Sequence, residues 1–340
     1  CFHRISPRTH MKPIGGYFGL ELKTGNEMYG DLTSVNSARN ALVCVVRERR
    51  IRVLNMPHFN CHVVADAVKR FCPDTVIKFY HIDQAMDPVD DDIDADAPLY
   101  RVNYYNLFGR ASKTPSGAQA ILDNAQAFYS PPPADTDTIY CPRKFFGVSD
   151  GAYLSSSATV GMSMEPDDSW DRSAHLLRRL DGGAEAGYSD FQAAEAALLG
   201  RPPMGMSRLS RTILSSIDHA RVIATRRRNF GLLHAALARD NRLKDAIESA
   251  QSADDFVPFC YPFMTANAEQ IRDSLIERRI YVPVYWPELR SPTDLNYHER
   301  AFASDIVSLA TDQRYGDNEM AEIVAAIFDD RSTIKPREQC

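Results

Sequence analysis

The sequence lacks any apolar run long enough to cross a bilayer as a helix, and it lacks an excess of charge of either sign. The first absence excludes a helical membrane span. The second, 39 Lys and Arg against 45 Asp and Glu for a net charge of −6, removes the global attraction for nucleic acid phosphates or anionic lipid. Neither nucleic acid nor membrane is therefore expected as a partner. Cysteine is sparse and odd in number, and the seven (Cys1, Cys44, Cys61, Cys72, Cys141, Cys260, Cys340) are scattered, unlike a disulfide framework. This usage fits a reducing, cytoplasmic setting. Internal repeats and low-complexity tracts are missing too, apart from Pro131-Pro132-Pro133, which reads as a stiff loop. Residues 1–10 have no signal-peptide core, and Met11 reads as a beginning, so they are set apart as tag or upstream residues.

What is present suits a globular chain: 340 residues, 44% apolar and 25% charged, enough for a large domain with a smaller partner. Helical spacing over Ala41–Val46, an extended Ile51–Leu54, a helical run through Val63–Val68 and an extended Val76–Tyr80 alternate. That pattern predicts an α/β fold with a mostly parallel sheet flanked by helices. Further strands are expected at 99–105, 118–122, 138–141 and 152–154. After Trp170 the texture turns helical, at 173–180, 188–199 and in one long helix over 209–239. A strand-helix-strand unit over 256–263, 266–278 and 280–285 and a closing helix at 318–328 complete a small α+β domain. The expected division is a large domain over 11–240, including the long connecting helix, and a small C-terminal domain over 241–335. The acidic run 90–96 is set aside as a calcium loop, because Ala97 and Asn103 stand where the turn glycine and bidentate glutamate belong.

Four pieces carry chemistry. Ser34 to Leu42 is a cap-rich turn opening a helix, whose free first-turn amides could hold a phosphate. Met56 to His62 is a strand-to-helix turn that could cover a flat ligand; an ordinary connecting loop is the plainer reading. Asp123 ends an apolar strand, at the edge where parallel sheets bind ligands, with Gln126 three residues on; a helix N-cap is the plainer reading. Lys144 lies between Arg143 and Phe145-Phe146, where aromatic neighbours would desolvate it and lower its pKa, making the neutral amine a nucleophile or base. A surface lysine is again the plainer alternative.

Together these pieces resemble the DegT/DnrJ/StrS-type aminotransferases, pyridoxal-phosphate enzymes that mostly aminate nucleotide-linked keto-sugars, over about residues 14–328. Ser37-Ala38-Arg39-Asn40-Ala41-Leu42 is similar to the family's Ser-Gly-Thr-x-Ala-Leu phosphate turn, and Pro57 to Val68 to its ring-covering segment. Leu122-Asp123-Asn124-Ala125-Gln126-Ala127 resembles its Glu-Asp-x-Ala-Gln-Ala, and Cys141 to Gly151 its lysine segment, with Asp150-Gly151 at the glycine pair. The resemblance implies a homodimer with active sites at the subunit interface, pyridoxal 5'-phosphate as cofactor, an amino donor such as glutamate and a keto-sugar acceptor. It implies that Lys144 forms the Schiff base and shuttles the proton, that Asp123 pairs with the pyridine nitrogen, that Gln126 bonds the ring hydroxyl, and that Ser37, Ala38 and Arg39 hold the phosphate. Cys61 falls where a group covers the ring, with His62 or Phe59 as substitutes, and Cys141 falls at the phosphate-binding serine, where Arg143 would compensate. The family's partner-subunit Asn-x-Arg pair falls on Pro203-Met204-Gly205, where neither residue is present.

Tyr17, in a glycine-bearing segment at the site's edge, and Trp286 with Tyr285 are expected near the substrate, core packing being the alternative for the latter two. Arg314 would bind a substrate carboxylate or phosphate, or else a salt bridge capping the last helix. Other readings are another pyridoxal-phosphate reaction such as sugar dehydration, or a catalytically silent binding protein. A zinc module at His58, Cys61, His62 and Cys72 is disfavoured by the adjacency of Cys61 and His62 and by non-standard spacing, so no metal is expected. No signature singles out a thiol hydrolase, and Arg226-Arg227-Arg228 reads as a solvated helix face rather than a nucleic-acid contact.

Overall fold

The computed structural model describes residues 15–107, 120–159, 163–290 and 294–333. Residues 1–10, set apart from the sequence, lie outside them, as does the start of the strand expected at 118. The chain opens its regular structure with β1 (Thr33–Val35), α1 (Ala38–Glu48), β2 (Val53–Pro57), α2 (His62–Phe71), β3 (Val76–Tyr80), β4 (Leu99–Val102), β5 (Ala120–Asn124), β6 (Asp137–Tyr140) and β7 (Ala152–Ser155). These strands form one sheet in the order β1-β7-β6-β5-β4-β2-β3. Strands β3, β2, β4, β5 and β6 are mutually parallel, while β7 is antiparallel to both β6 and β1. Two antiparallel steps restore direction, so β1 runs with β6. The C-terminal ends of β1, β2, β4, β5 and β6, the N-termini of α1 and α2, and the approach to β7 therefore all meet at one sheet edge.

α1 lies in the core. Asn40 through Val46 are all buried, and each large aliphatic side chain among them contributes about 1.5–3 kcal/mol of apolar transfer. Its start is fixed by Ser37, whose hydroxyl accepts the Asn40 N–H at 3.3 Å.

The rest of the chain contains α3 (Ala174–Ala186), α4 (Tyr188–Leu199), α5 (Arg208–Ser215), α6 (His219–Leu237), α7 (Lys244–Gln251), β8 (Tyr261–Met264), α8 (Ala268–Glu277), α9 (Tyr297–Asp305), β9 (Ile306–Leu309) and α10 (Asp317–Thr333). The long helix expected over 209–239 is in fact two. Asp218 accepts the Arg221 N–H at 3.1 Å and caps α6, so the chain breaks at Ser216-Ile217-Asp218. The second strand expected at 280–285 is also corrected, since this stretch has no ladder and β8 pairs antiparallel with β9 instead. Pro283 supplies no amide proton for a ladder, and Arg279 and Trp286 bracket the stretch at φ 61° and 56°. The strand expected over 99–105 stops at Val102 and passes into a 3-10 turn over Tyr104–Asn106.

The two sheets are fastened by Glu299 of α9, wholly buried. Its carboxylate accepts the Ile82 N–H at 3.0 Å, lies 2.8 Å from His81 Nδ1 and accepts the Asn296 N–H at 2.9 Å in a capping box. Among the described residues no helix is long and apolar enough to cross a membrane.

Candidate active site

Asp123 stands at the carboxyl end of β5, only 6% exposed. One carboxylate oxygen accepts the Ala125 N–H at 2.7 Å and the other accepts the Tyr100 hydroxyl. Burial pushes this carboxyl above the ordinary range, while the Tyr100 and Ala125 hydrogen bonds and the charge of Lys144 pull it back. A turn rather than a helix follows it, so Asp123 does not cap a helix. Tyr100 was not singled out from the sequence. The β4–β5 register, which sets Val102 opposite Asp123, brings it alongside as a diagonal neighbour. Gln126 is buried and accepts the Tyr105 N–H at 2.7 Å. That bond orients the amide, and among the described residues no hydrogen bond occupies Nε2, which can donate to a ligand.

Lys144 follows β6 in a 3-10 turn, Pro142–Lys144, on the strand next to Asp123. The expected aromatic desolvation is corrected: Phe145 and Phe146 turn into the core against Phe128, while Lys144 itself is exposed. Its Nζ lies 5.4 Å from the ring centre of Tyr285 and 5.8 Å from that of Phe259, cation–π contacts that hold the amine at the mouth of the site. The backbone behind it is held by Arg226. This guanidinium donates to the carbonyls of Phe145, Pro258 and Phe259 and to Gln313, which itself donates to Phe145 O at 2.8 Å. Arg226 is therefore 1% exposed and not on a solvated face, and burial pushes its pKa down to about 10. Arg227 and Arg228 do face outward, to the carbonyls of Asp254 and Phe256 and to Asp317.

The first turn of α1 presents the amides of Ala38 and Arg39, which have no intrahelical acceptor. Beside them the Nε and Nη2 of Arg39 are buried without a hydrogen-bond partner. Burial, and then the charge of Arg143, lower the Arg39 pKa, and the thiols of Cys141 and Cys61 are near enough to act on it. Cys141 is buried. The stretch Pro202–Gly205 is tied to the same turn: Asn36 donates its N–H to Met204 O at 2.8 Å and its amide to Pro202 O at 3.0 Å, and Asn40 reaches Arg201 O at 3.1 Å. Asp150 fixes the next residues, accepting from Ser207 N at 2.8 Å, from Ser207 Oγ at 2.6 Å and from Ser210 Oγ.

Cys61 and His62 open α2 at the same edge. Burial pushes the Cys61 thiol up. His62 Nδ1 lies 2.7 Å from Glu288 Oε1, and Glu288 belongs to the 3-10 turn Pro287–Arg290. Phe59 is unavailable as a ring cover. It packs edge-on against Trp286 at 5.0 Å and against Tyr104, whose hydroxyl donates to the Phe59 carbonyl. The four residues of the zinc reading do not converge: His58 stacks on His81 and Cys72 faces the Val43 carbonyl. Among the described residues the group close enough to share an ion is Cys61, His62 and Glu288, with ligand atoms within 4.8 Å of one another.

The remaining expectations divide. Trp286 is 9% exposed and packs against Phe59 and Tyr104, so core packing is its observed role, while Tyr285 faces Lys144. Arg314 forms a two-pronged pair with Asp312 at 2.7 and 2.8 Å. Tyr17 is 98% exposed, so no packing surface of this chain holds it against the site.

No protein-family model and no curated protein sequence matches the chain. Solved structures do. A DegT DnrJ EryC1 StrS aminotransferase from Brucella abortus superposes with a TM-score of 0.58 at 14% identity over 88% of this chain and 85% of that one. DesV from S. venezuelae, in complex with a ketimine intermediate, gives 0.56 at 16% over 87% and 84%. Spr1654 from Streptococcus pneumoniae in its PLP form gives 0.59 at 13% over 89% and 88%. The resemblance carried by short motifs thus extends over 87–89% of the chain, and this chain has the fold of the DegT/DnrJ/EryC1/StrS-type sugar aminotransferases.

Proposed function

We propose that the protein is a pyridoxal-phosphate-dependent aminotransferase that moves an amino group from a donor, glutamate, to a nucleotide-linked keto-sugar. The observation that carries this reading is the buried Asp123 carboxyl at the end of β5, beside the strand β6 that leads into Lys144, at the carboxyl edge of a parallel sheet with the fold of sugar aminotransferases. The residues present fit the cofactor. Asp123 supplies an anion for a ring nitrogen, Lys144 an amine for an aldehyde, and the unpartnered N–H groups of Arg39 donors for a phosphate. When bound, pyridoxal phosphate supplies a protonated ring that withdraws electrons from the donor's α-carbon.

In this reading the Lys144 amine binds the cofactor and, once released, accepts and returns a proton at Nζ. Asp123 keeps the proton on the ring nitrogen, and Tyr100 and Ala125 orient its two oxygens. Gln126 offers Nε2 to the ring hydroxyl, while Ser37, Ala38 and Arg39 take the phosphate end and Cys61, His62 and Cys141 flank it. Tyr285 and Phe259 bound the approach to Nζ. Tyr17 and Arg314 belong to the acceptor side of the proposal, and Trp286 supports it from the core. The working unit is a homodimer, with a large domain over residues 11–240 and a small one over 241–335.

Purified protein mixed with pyridoxal phosphate, reduced with borohydride and digested should carry the label on Lys144, with a visible absorption band that the Lys144→Ala variant lacks. Label scattered over surface lysines with no band would refute the assignment. Stoichiometric consumption of glutamate with keto-sugar nucleotides separates transfer from sugar dehydration, which leaves the donor untouched.

A further inference from the structure

Three side chains of different chemistry converge where α2 meets the C-terminal layer. A thiol sulfur from Cys61, an imidazole nitrogen from His62 and a carboxylate oxygen from Glu288 all lie within 4.8 Å of one another. Adjacency in the chain counts against Cys61 and His62 as joint ligands within a regular helix or strand, where successive side chains diverge. The pair straddles a junction instead: Cys61 is the N-cap of α2 with an extended backbone, φ −64° and ψ 120°, and His62 is the first helical residue. Asn60 Oδ1 takes the Cys61 N–H at 2.8 Å, and the thiol makes no capping bond, so the sulfur is not committed to the helix terminus. Glu288 is held from both sides. Its turn, Pro287–Arg290, is anchored by the buried Trp286 and Leu289, with Leu289 N–H bonded to Trp286 O at 2.8 Å. His62 Nδ1 stands 2.7 Å from Glu288 Oε1, and its Nε2 faces Asp66, one turn along α2, at 3.9 Å.

We propose that Cys61, His62 and Glu288 are the protein ligands of a site for a thiophilic divalent cation of the zinc class, with water at the fourth position. The donor set selects the ion, because thiolate and imidazole suit zinc, whereas magnesium and calcium take oxygen ligands and find a single carboxylate here. Bonds of about 2.0–2.3 Å set the donors of a tetrahedral zinc about 3.3–3.6 Å apart. The three atoms reach that spacing by side-chain rotation: the His62–Glu288 pair opens as the ion replaces the proton between them, and the sulfur closes in. Thiolate and carboxylate together cancel the charge of the ion, which offsets the burial that otherwise holds the Cys61 thiol protonated. Asp66, beyond the ring of His62, supplies the carboxylate that orients a metal-bound imidazole. His62 and Asp66 are exposed, which leaves the ion an approach from solvent. Glu288 meets His62 from 226 positions along the chain, so the bound ion pins the C-terminal layer to α2. None of the three ligand atoms needs the cofactor in place, and the site stands apart from the role given to Lys144.

The test titrates cobalt(II) into reduced, full-length protein free of cofactor, since cobalt takes zinc's place and reports a sulfur ligand by a charge-transfer band in the near ultraviolet. Wild type should take up a single equivalent with that band, and zinc should bleach it. Cys61→Ser should lose the band. His62→Ala and Glu288→Gln should each keep the thiolate band at saturation but weaken binding by more than the roughly 10- to 100-fold cost of losing a group that only orients a ligand. Circular dichroism of all three variants should match wild type, which separates lost ligation from misfolding. Zinc should raise the melting temperature of wild type and, at the same concentration, leave that of Glu288→Gln unmoved, because the carboxylate is what ties the C-terminal layer to the ion. Lys144→Ala should behave as wild type throughout, so failure of the Schiff-base assignment and failure of the metal site are told apart. No band in wild type, a band that persists in Cys61→Ser, or cobalt affinity unchanged in either His62→Ala or Glu288→Gln would overturn the site.

Discussion

Asp123 sits in an environment that opposes its own charge. Burial raises its carboxyl pKa above that of the unfolded chain, so the ionised form is disfavoured by folding, and stability falls as pH rises from the ordinary carboxylate value through that raised pKa. An amide of the same shape keeps both neighbours, since Asn can accept from Ala125 N–H and donate to a Tyr100 hydroxyl that reverses its role. Apo Asp123→Asn should therefore melt at or above the wild-type temperature at neutral pH, with the difference closing as pH falls toward the ordinary carboxylate value of 3.8. The same variant should lose the visible band of bound cofactor. A lower melting temperature at pH 7 would show that the charge is stabilising in place. Asp123 and Lys144 were legible in the sequence because each is marked by near neighbours, an apolar strand before the acid and a glycine-bearing turn after the lysine. Tyr100, Glu288 and Gln313 were not, because each reaches the site through pairings with residues far off in the chain. The buried Arg226 was misread for the same reason, since its partners lie 32 to 87 positions away.

At the level of elements, the junction between the lysine segment and β7 depends on Gly151. Its φ of 125° belongs to glycine, its N–H bonds Asn36 O at 2.8 Å, and a Cβ there would meet the Met206 side chain at 3.0 Å. Gly151→Ala should cost about 1–3 kcal/mol in urea unfolding. Adding Met206→Ala should recover the steric share and leave the backbone share, which a double-mutant cycle separates. Elements with a clear period were readable, α4 and β3 to the residue. The stretch 280–285 misled because a short apolar run reads as strand whether or not it finds a ladder, and β9 took the edge beside β8. The start of α9 also has a local signature: Asn296 followed three residues later by Glu299 is a capping box. The break before α6 was likewise signed by Asp218.

Across the whole molecule, the C-terminal layer holds the candidate site's edge through a few groups, of which Arg226 is fully buried. Arg226 bonds three carbonyls and Gln313, one of those carbonyls belonging to the residue after Lys144. Arg226→Met leaves the Pro258 and Phe259 carbonyls without this donor, while Phe145 O keeps its bond from Gln313, and should lower stability by about 2–4 kcal/mol, read as a shifted urea midpoint. Labelling of Lys144 should fall with it, and Arg226→Lys should recover only part, because an ammonium cannot reproduce the planar fork. Unchanged labelling would show that the lysine turn holds its shape without this anchor. The placement of the two tryptophans has a practical consequence. Trp170 is 76% exposed, whereas Trp286 is enclosed edge-on by Phe59 and Tyr104 where the two sheets meet. A soluble quencher silences the first and spares the second, so the fluorescence that survives is a built-in gauge of whether that seam is shut.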